Sequence, residues 1–120
     1  MQQSRLEKIL ASYNSSEGSY PFGPDALVFK VAGKMFALVS QHESPPRVTL
    51  KCAPADAEVL VAEYEAIIPG YYMNKRHWIT ISLVDEIPDQ LLIELASGSY
   101  ELVVSKLTRA ERLKLENEAG

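Results

Sequence analysis

A chain of 120 residues, 47% hydrophobic and 23% charged, has the length of one globular domain and is too apolar to stay unfolded. Its net charge of −4 and pI of about 5.2 give no overall attraction to nucleic acid or to an anionic membrane, so any such contact has to be local. Cys52 is the only cysteine, which excludes an intrachain disulfide; residues 1–5 lack the apolar stretch of a signal peptide, and no apolar run approaches the ~18 residues of a bilayer span. The expectation is a single domain over residues 1–120, cytoplasmic and without membrane association, with a tail from about residue 108 that frays.

The first element is a helix, because Leu6, Ile9, Leu10 and Tyr13 fall at i, i+3, i+4 and i+7. Ser4 and Glu7 have the spacing of a capping box at its start. Asn14 to Asp25, with its glycines, prolines and serines, reads as a loop. Leu27, Phe29 and Val31 then alternate along a strand, Ala32-Gly33-Lys34 makes a tight turn, and Met35 to Val39 is apolar on both faces, as a central strand would be. After the Pro45-Pro46 break, Arg47 to Lys51 alternates again, with Val48 and Leu50 inward.

A second helix starts near Pro54, a favoured first helical residue, and its apolar stripe runs through Leu60, Tyr64, Ile67 and Ile68 until Pro69-Gly70 stops it. A short segment, Tyr71 to Met73, leads to a polar turn at Asn74 to His77. Trp78 to Leu83 is the last strand, with Ile79, Ile81 and Leu83 on one face. Pro88 and Asp89 open a third helix carrying Leu91, Leu92, Leu95, Leu102 and Val103, with Gly98 as a thin point or bend. Thr108 and Glu111 match a capping box for a short terminal helix. The order α-βββ-α-ββ-α, with hairpin-joined strands, predicts an α+β two-layer sandwich: a mainly antiparallel sheet with helices on one face and the other face open.

Charge is segregated along the chain. Residues 26–52 hold Lys30, Lys34, Arg47 and Lys51 against Glu43, about +3, and residues 70–82 hold Lys75 and Arg76 without an acid. The two inner helical segments are acidic, about −4 over residues 53–69 and −5 over 83–101. If Ile79 and Ile81 face the helices, Trp78, Thr80 and Ser82 face outward, beside Lys30, Arg47, Thr49 and Lys51. Cations next to an exposed indole suit phosphates and a base or sugar. Antiparallel sheets also place polar residues on their wet face for solubility alone, so both readings stand.

No pattern points to catalysis or to a cofactor. There is no phosphate loop, no dinucleotide fingerprint and no nucleophile elbow. His42, His77 and Cys52 lack the spacing of a zinc site, and Asp85-Glu86 read as turn residues. Cys52 with His77 is the one nucleophile–base pairing to consider; a small cysteine at a strand end is more often filler. A binding module, not an enzyme, is expected. Asn74-Lys75-Arg76-His77-Trp78 is the densest polar cluster, either an anion-binding turn or a solvated connection.

Several runs carry a resemblance. Ser19-Tyr20-Pro21-Phe22-Gly23-Pro24 precedes Val28-Phe29-Lys30-Val31 and Gly33-Lys34-Met35-Phe36-Ala37. Val48-Thr49-Leu50-Lys51, Met73-Asn74-Lys75-Arg76-His77-Trp78 and Ser99-Tyr100-Glu101-Leu102-Val103 follow. In that order, over about residues 5–107, the chain resembles the MmcQ/YjbR family of small uncharacterised bacterial proteins. The resemblance implies a two-layer fold similar to secretion chaperones, with strands in a so-called double wing, and a DNA-binding label that rests on fold likeness. The acidic net charge departs from what a strong DNA binder shows.

Two partner classes follow. The first is double-stranded DNA, with Lys30, Lys34, Arg47, Lys51, Lys75 and Arg76 on phosphates and Asn74, His77 and Trp78 completing the site. The second is a protein held on the open sheet face.

Overall fold

The computed structural model describes residues 1–70 and 74–119, with side chains through residue 117. In chain order the elements are α1 (Gln3–Ala11), β1 (Glu17–Ser19), β2 (Ala26–Val31), β3 (Lys34–Ser40), β4 (Arg47–Lys51), α2 (Pro54–Glu63), β5 (Ile67–Pro69), β6 (Trp78–Ser82), α3 (Asp89–Ser105) and α4 (Arg109–Ala119). The strands form one antiparallel sheet in the order β1-β2-β3-β4-β6-β5. Helix α3 lies across β2, β3 and β4, α1 packs on β3, and α2 packs on β5. This is the expected two-layer α+β arrangement with one sheet face uncovered by helices.

The core lies between the layers. Phe29 and Val31 of β2, Ala37 and Val39 of β3, Val48 and Leu50 of β4, and Ile79 and Ile81 of β6 point to the helices. Leu6, Leu10, Leu60, Leu92, Ala96 and Val103 meet them from the helical side. Period-2 alternation on the strands and period-3.6 spacing on the helices thus bury the same core from opposite sides.

The β2–β3 hairpin turns through Ala32 and Gly33, both with positive φ (50° and 75°), the turn geometry that matches strand twist. Two residues later the ladder slips: Lys30 pairs with Met35 and Phe29 with Ala37, leaving Phe36 as the extra residue of a bulge. The bulge drives Phe36 into the helical core, edge-on to Tyr100 with ring centroids 5.4 Å apart and 6.0 Å from Tyr13. It also leaves β3 and β4 unpaired beyond Ala37 and Leu50. Ser99 of α3 fills that gap. Its hydroxyl donates to Phe36 O at 2.6 Å and accepts the Lys51 N–H at 2.8 Å, so one helix side chain ties the two strands together. The neighbouring Tyr100 hydroxyl donates to Asn14 O at 2.7 Å. The serine–tyrosine pair is therefore a staple between α3, the sheet and the loop after α1.

Five local expectations are corrected. Glu17–Ser19, expected within a loop, is an edge strand held by its ladder to β2; three residues without apolar alternation carry no strand signal of their own. Ile67 and Ile68 do not extend α2. Tyr64 is already extended (φ −120°, ψ 122°), and the β-branched pair before a proline forms edge strand β5. The Ser4–Glu7 capping box does not form, because α1 begins two residues earlier with Gln2 as its cap; Glu7 accepts instead from Gln3 (3.1 Å) and Gln41 (2.9 Å). Helix α3 continues through Gly98. The Thr108–Glu111 box does form, with reciprocal bonds of 2.9 and 3.1 Å, and Leu115 is buried, so the terminal segment is a docked helix rather than a frayed tail. Tyr71–Met73, expected as a link to the polar turn, lies outside the described residues.

Candidate nucleic-acid interface

Strand register decides which candidate side chains share a face. With Leu50 and Ile79 turned to the helices, their strand neighbours Lys51 and Trp78 turn to the open face, and the two are cross-strand partners. One row across the open face runs Ser19, Val28, Leu38, Thr49, Thr80, Ile68. Thr49 and Thr80 point outward as alternation predicts, yet they are only 2% and 3% exposed and their hydroxyls hydrogen-bond at 2.9 Å. The centre of this face is thus apolar and hydroxyl-bearing, and little of it reaches solvent, since Val28, Leu38, Thr49 and Thr80 are all buried. The charged side chains sit towards its ends.

The Asn74–His77 turn is built by its own backbone. Asn74 Oδ1 accepts the Arg76 N–H at 3.0 Å, and Asn74 O accepts the His77 N–H at 3.1 Å. His77 O then accepts the Cys52 N–H at 2.8 Å, which fastens the turn to the end of β4. Gly70 N–H donates to Trp78 O at 2.7 Å. A Cβ on Gly70 would lie 2.6 Å from Trp78 Cβ, so only glycine fits there. Trp78 itself is half-buried. These bonds bring Lys51, Lys75, Arg76 and His77 to the corner where β4 ends and β6 begins, with Lys51 directly across from Trp78. None of the four makes an ion pair among the described residues.

The nine candidate residues do not form one continuous basic face. Lys75 and Arg76 border a depression lined by Pro54, Ala57, Glu58 and Val61 of α2, on the helical side of the sheet edge. Lys34 pairs across from Val31, which puts it on the helical side too; its charge helps hold the Glu111 carboxylate of α4 below the usual range, after the dominant bonds from Thr108. Lys30 is on the open face with Glu17 of β1 directly opposite. Arg47 is on the open face as well, 3.5 Å from Glu43. The corner made by Lys51, Lys75, Arg76, His77 and Trp78 is the part the fold concentrates.

Cys52 is buried, and burial followed by the charge of Asp56 pushes its thiol pKa up, the reverse of an activated nucleophile. His77 meets it through a backbone bond and is exposed at its side chain. Reading the residues alone missed the acid that offsets Lys30, because Glu17 reaches Lys30 only through the β1–β2 ladder. It also left Phe22 unassigned, although a 71% exposed phenyl ring in a glycine–proline loop is itself a signal.

Comparison with known proteins agrees with this fold. A family model described as YjbR matches residues 11–102. The chain is 38% identical over 96 residues to the uncharacterized protein YbdF of Escherichia coli O157:H7, covering 80% of this chain and 79% of that protein. It is 34% identical over 87 residues to the uncharacterized protein YjbR of Escherichia coli K12, covering 72% and 74%. Among solved structures it is similar to Deinococcus radiodurans protein DR2400, with a TM-score of 0.87 and 38% identity over 94% of this chain and 86% of that one. A Pseudomonas syringae protein at 22% identity shares the fold with a TM-score of 0.74. On its sequence and its fold together, the chain belongs to the YjbR family.

Proposed function

We propose that this chain is a binding module, not an enzyme, and that it holds duplex DNA at the corner where β4 ends and β6 begins. The observation that supports this reading is the gathering of Lys51, Lys75, Arg76 and His77 at one corner of the sheet, next to Trp78 and without ion-pair partners among the described residues. Lysine and arginine neutralise phosphates and set position, while the indole offers a flat apolar surface to a sugar or base edge. Asp56 and Glu58 of α2 border the corner on its helical side and weaken its attraction for phosphate there. Contacts of this kind are tolerant of sequence.

The test is a titration of fluorescently labelled duplex, read by anisotropy and by Trp78 emission. Three neutralised phosphates give a log–log salt slope near −2.7, a loss of roughly 40-fold in affinity between 50 and 200 mM salt. Replacing Lys75 and Arg76 by Ala should bring the slope to about −1, whereas Lys34→Ala, beside the Glu111 carboxylate of α4, should leave it unchanged. Undiminished binding by the double variant overturns the reading.

A second reading, a protein held on the open face, draws support from the near-neutral remainder of that face, where Glu17 faces Lys30 and Glu43 meets Arg47 around an apolar centre. It predicts salt-insensitive binding. Absence of duplex binding at low salt selects it.

A further inference from the structure

We propose that the depression between the Tyr20–Asp25 loop and the open face of β2 and β3 is a binding site for a small organic cation with an apolar, ring-sized body. Its volume of about 670 Å³ falls within the roughly 300–1,000 Å³ of small-ligand sites. The floor is apolar: Ala26, Leu38 and Met35 all project to the open face by strand register. Methionine adapts its shape to what it touches.

One wall is Phe22. A lone exposed phenylalanine carries no meaning, but this ring borders an apolar floor on the side of the sheet away from the helical core. The loop that presents it closes on itself and is tied to β3 at its far end. Gly23 N–H donates to Tyr20 O at 3.2 Å, Gly23 takes a φ of +100°, and Gln41 N–H donates to Asp25 O at 2.9 Å. The backbone that carries the ring is therefore set before any ligand arrives.

A polar group also lines the depression. Ser40 is 8% exposed and its Oγ accepts the Arg47 N–H at 2.8 Å. A hydroxyl that accepts one bond still has a proton to donate to an oxygen or nitrogen of a bound molecule. The sign of the ligand follows from the rim. Asp25 and Glu43 line the depression, and His42, 3.5 Å from Asp25, is the one basic lining residue. Arg47 reaches Glu43 at 3.5 Å without lining the space. Arg47 offsets part of the Glu43 charge, so the rim's attraction for a positive group is modest and comes mainly from Asp25, and the face of the Phe22 ring adds a cation–π contact. This site lies apart from the Lys51–Trp78 corner and does not depend on it.

The experiment uses the full chain with ¹³C-methyl-labelled methionines and two matched probes, 2-naphthylmethylammonium and 2-naphthylacetate. The ammonium probe should shift the Met35 methyl saturably and leave Met1, on the helical side, unmoved. Two partly exposed carboxylates should make the acetate about fivefold weaker, and Asp25→Asn with Glu43→Gln should abolish that preference. Phe22→Ser, at an exposed position, should weaken the ammonium probe about fivefold while leaving the unliganded spectrum otherwise intact. No saturable shift at Met35, equal or tighter binding of the acetate, or full-strength binding by Phe22→Ser overturns the proposal.

Discussion

Replacing Ser99 by Ala removes one oxygen and two hydrogen bonds. The Ser99 hydroxyl, fully buried, donates to Phe36 O and accepts from Lys51 N–H, where the β3–β4 ladder has stopped. No backbone partner stands in reserve, because the bulge at Phe36 has carried that carbonyl out of register. Each buried backbone group left unpaired costs about 1–3 kcal/mol. Alanine returns roughly 0.5 kcal/mol through its better helix propensity. Since Lys51 is half-buried and water can reach part of its amide, the net loss should be about 2–4 kcal/mol. That is a large share of the ~5–15 kcal/mol by which domains are stable. Urea unfolding followed by Trp78 fluorescence and by far-ultraviolet circular dichroism measures it. The midpoint should fall by roughly 1–2 M with an unchanged slope. Ser105→Ala is the control: its exposed hydroxyl bonds only Leu102 O, at 2.7 Å in its own helix, and its loss should stay within ~0.5 kcal/mol. A Ser99→Ala variant indistinguishable from that control would refute the stapling role.

Gly70→Ala should destabilise by about 1–3 kcal/mol and shift the Trp78 emission maximum, because the added methyl meets Trp78 Cβ at 2.6 Å; urea unfolding with emission spectra of both proteins checks this. The Glu111 carboxylate, held low chiefly by the Thr108 backbone N–H and then by its hydroxyl, should titrate below the usual glutamate range, and Thr108→Ala should raise its midpoint in a side-chain NMR titration. The sign follows from linkage. A folded-state pKa below the unfolded one makes the stabilisation of α4 complete above the ordinary glutamate pKa, and it is lost as pH falls through the lowered value. A midpoint that Thr108→Ala leaves in place would mean the hydroxyl contributes nothing to holding Glu111 low, since alanine keeps the backbone N–H.

Much of the frame was legible from local patterns. The strands at Leu27–Val31, Met35–Val39 and Arg47–Lys51 announced themselves through alternation, and the helix starts at Pro54 and Asp89 through their first-turn residues. The terminal capping box could be read because its partners are three residues apart. What failed were elements whose partners are distant. Strand β1 exists only because β2 offers it a ladder, and Ile67-Ile68 suits a helix stripe until the edge of β6 is available to pair with. The candidate site divides the same way. The Asn74–Trp78 run was visible as a polar cluster, and its cross-strand neighbour Lys51 was on the right face.

That Lys34 would turn to the helices depends on a one-residue bulge at Phe36, and nothing in the local sequence marks a bulge. The sequence by itself determined composition, the two periodicities and therefore a helix-covered antiparallel sheet, because apolar spacing and turn chemistry act over a few residues. Only the tertiary structure decided which cations gather next to Trp78, which acid offsets Lys30, and where Phe22 closes over the open face. Those outcomes are set by register between strands far apart in the chain, where a shift of one residue reverses the face of every side chain.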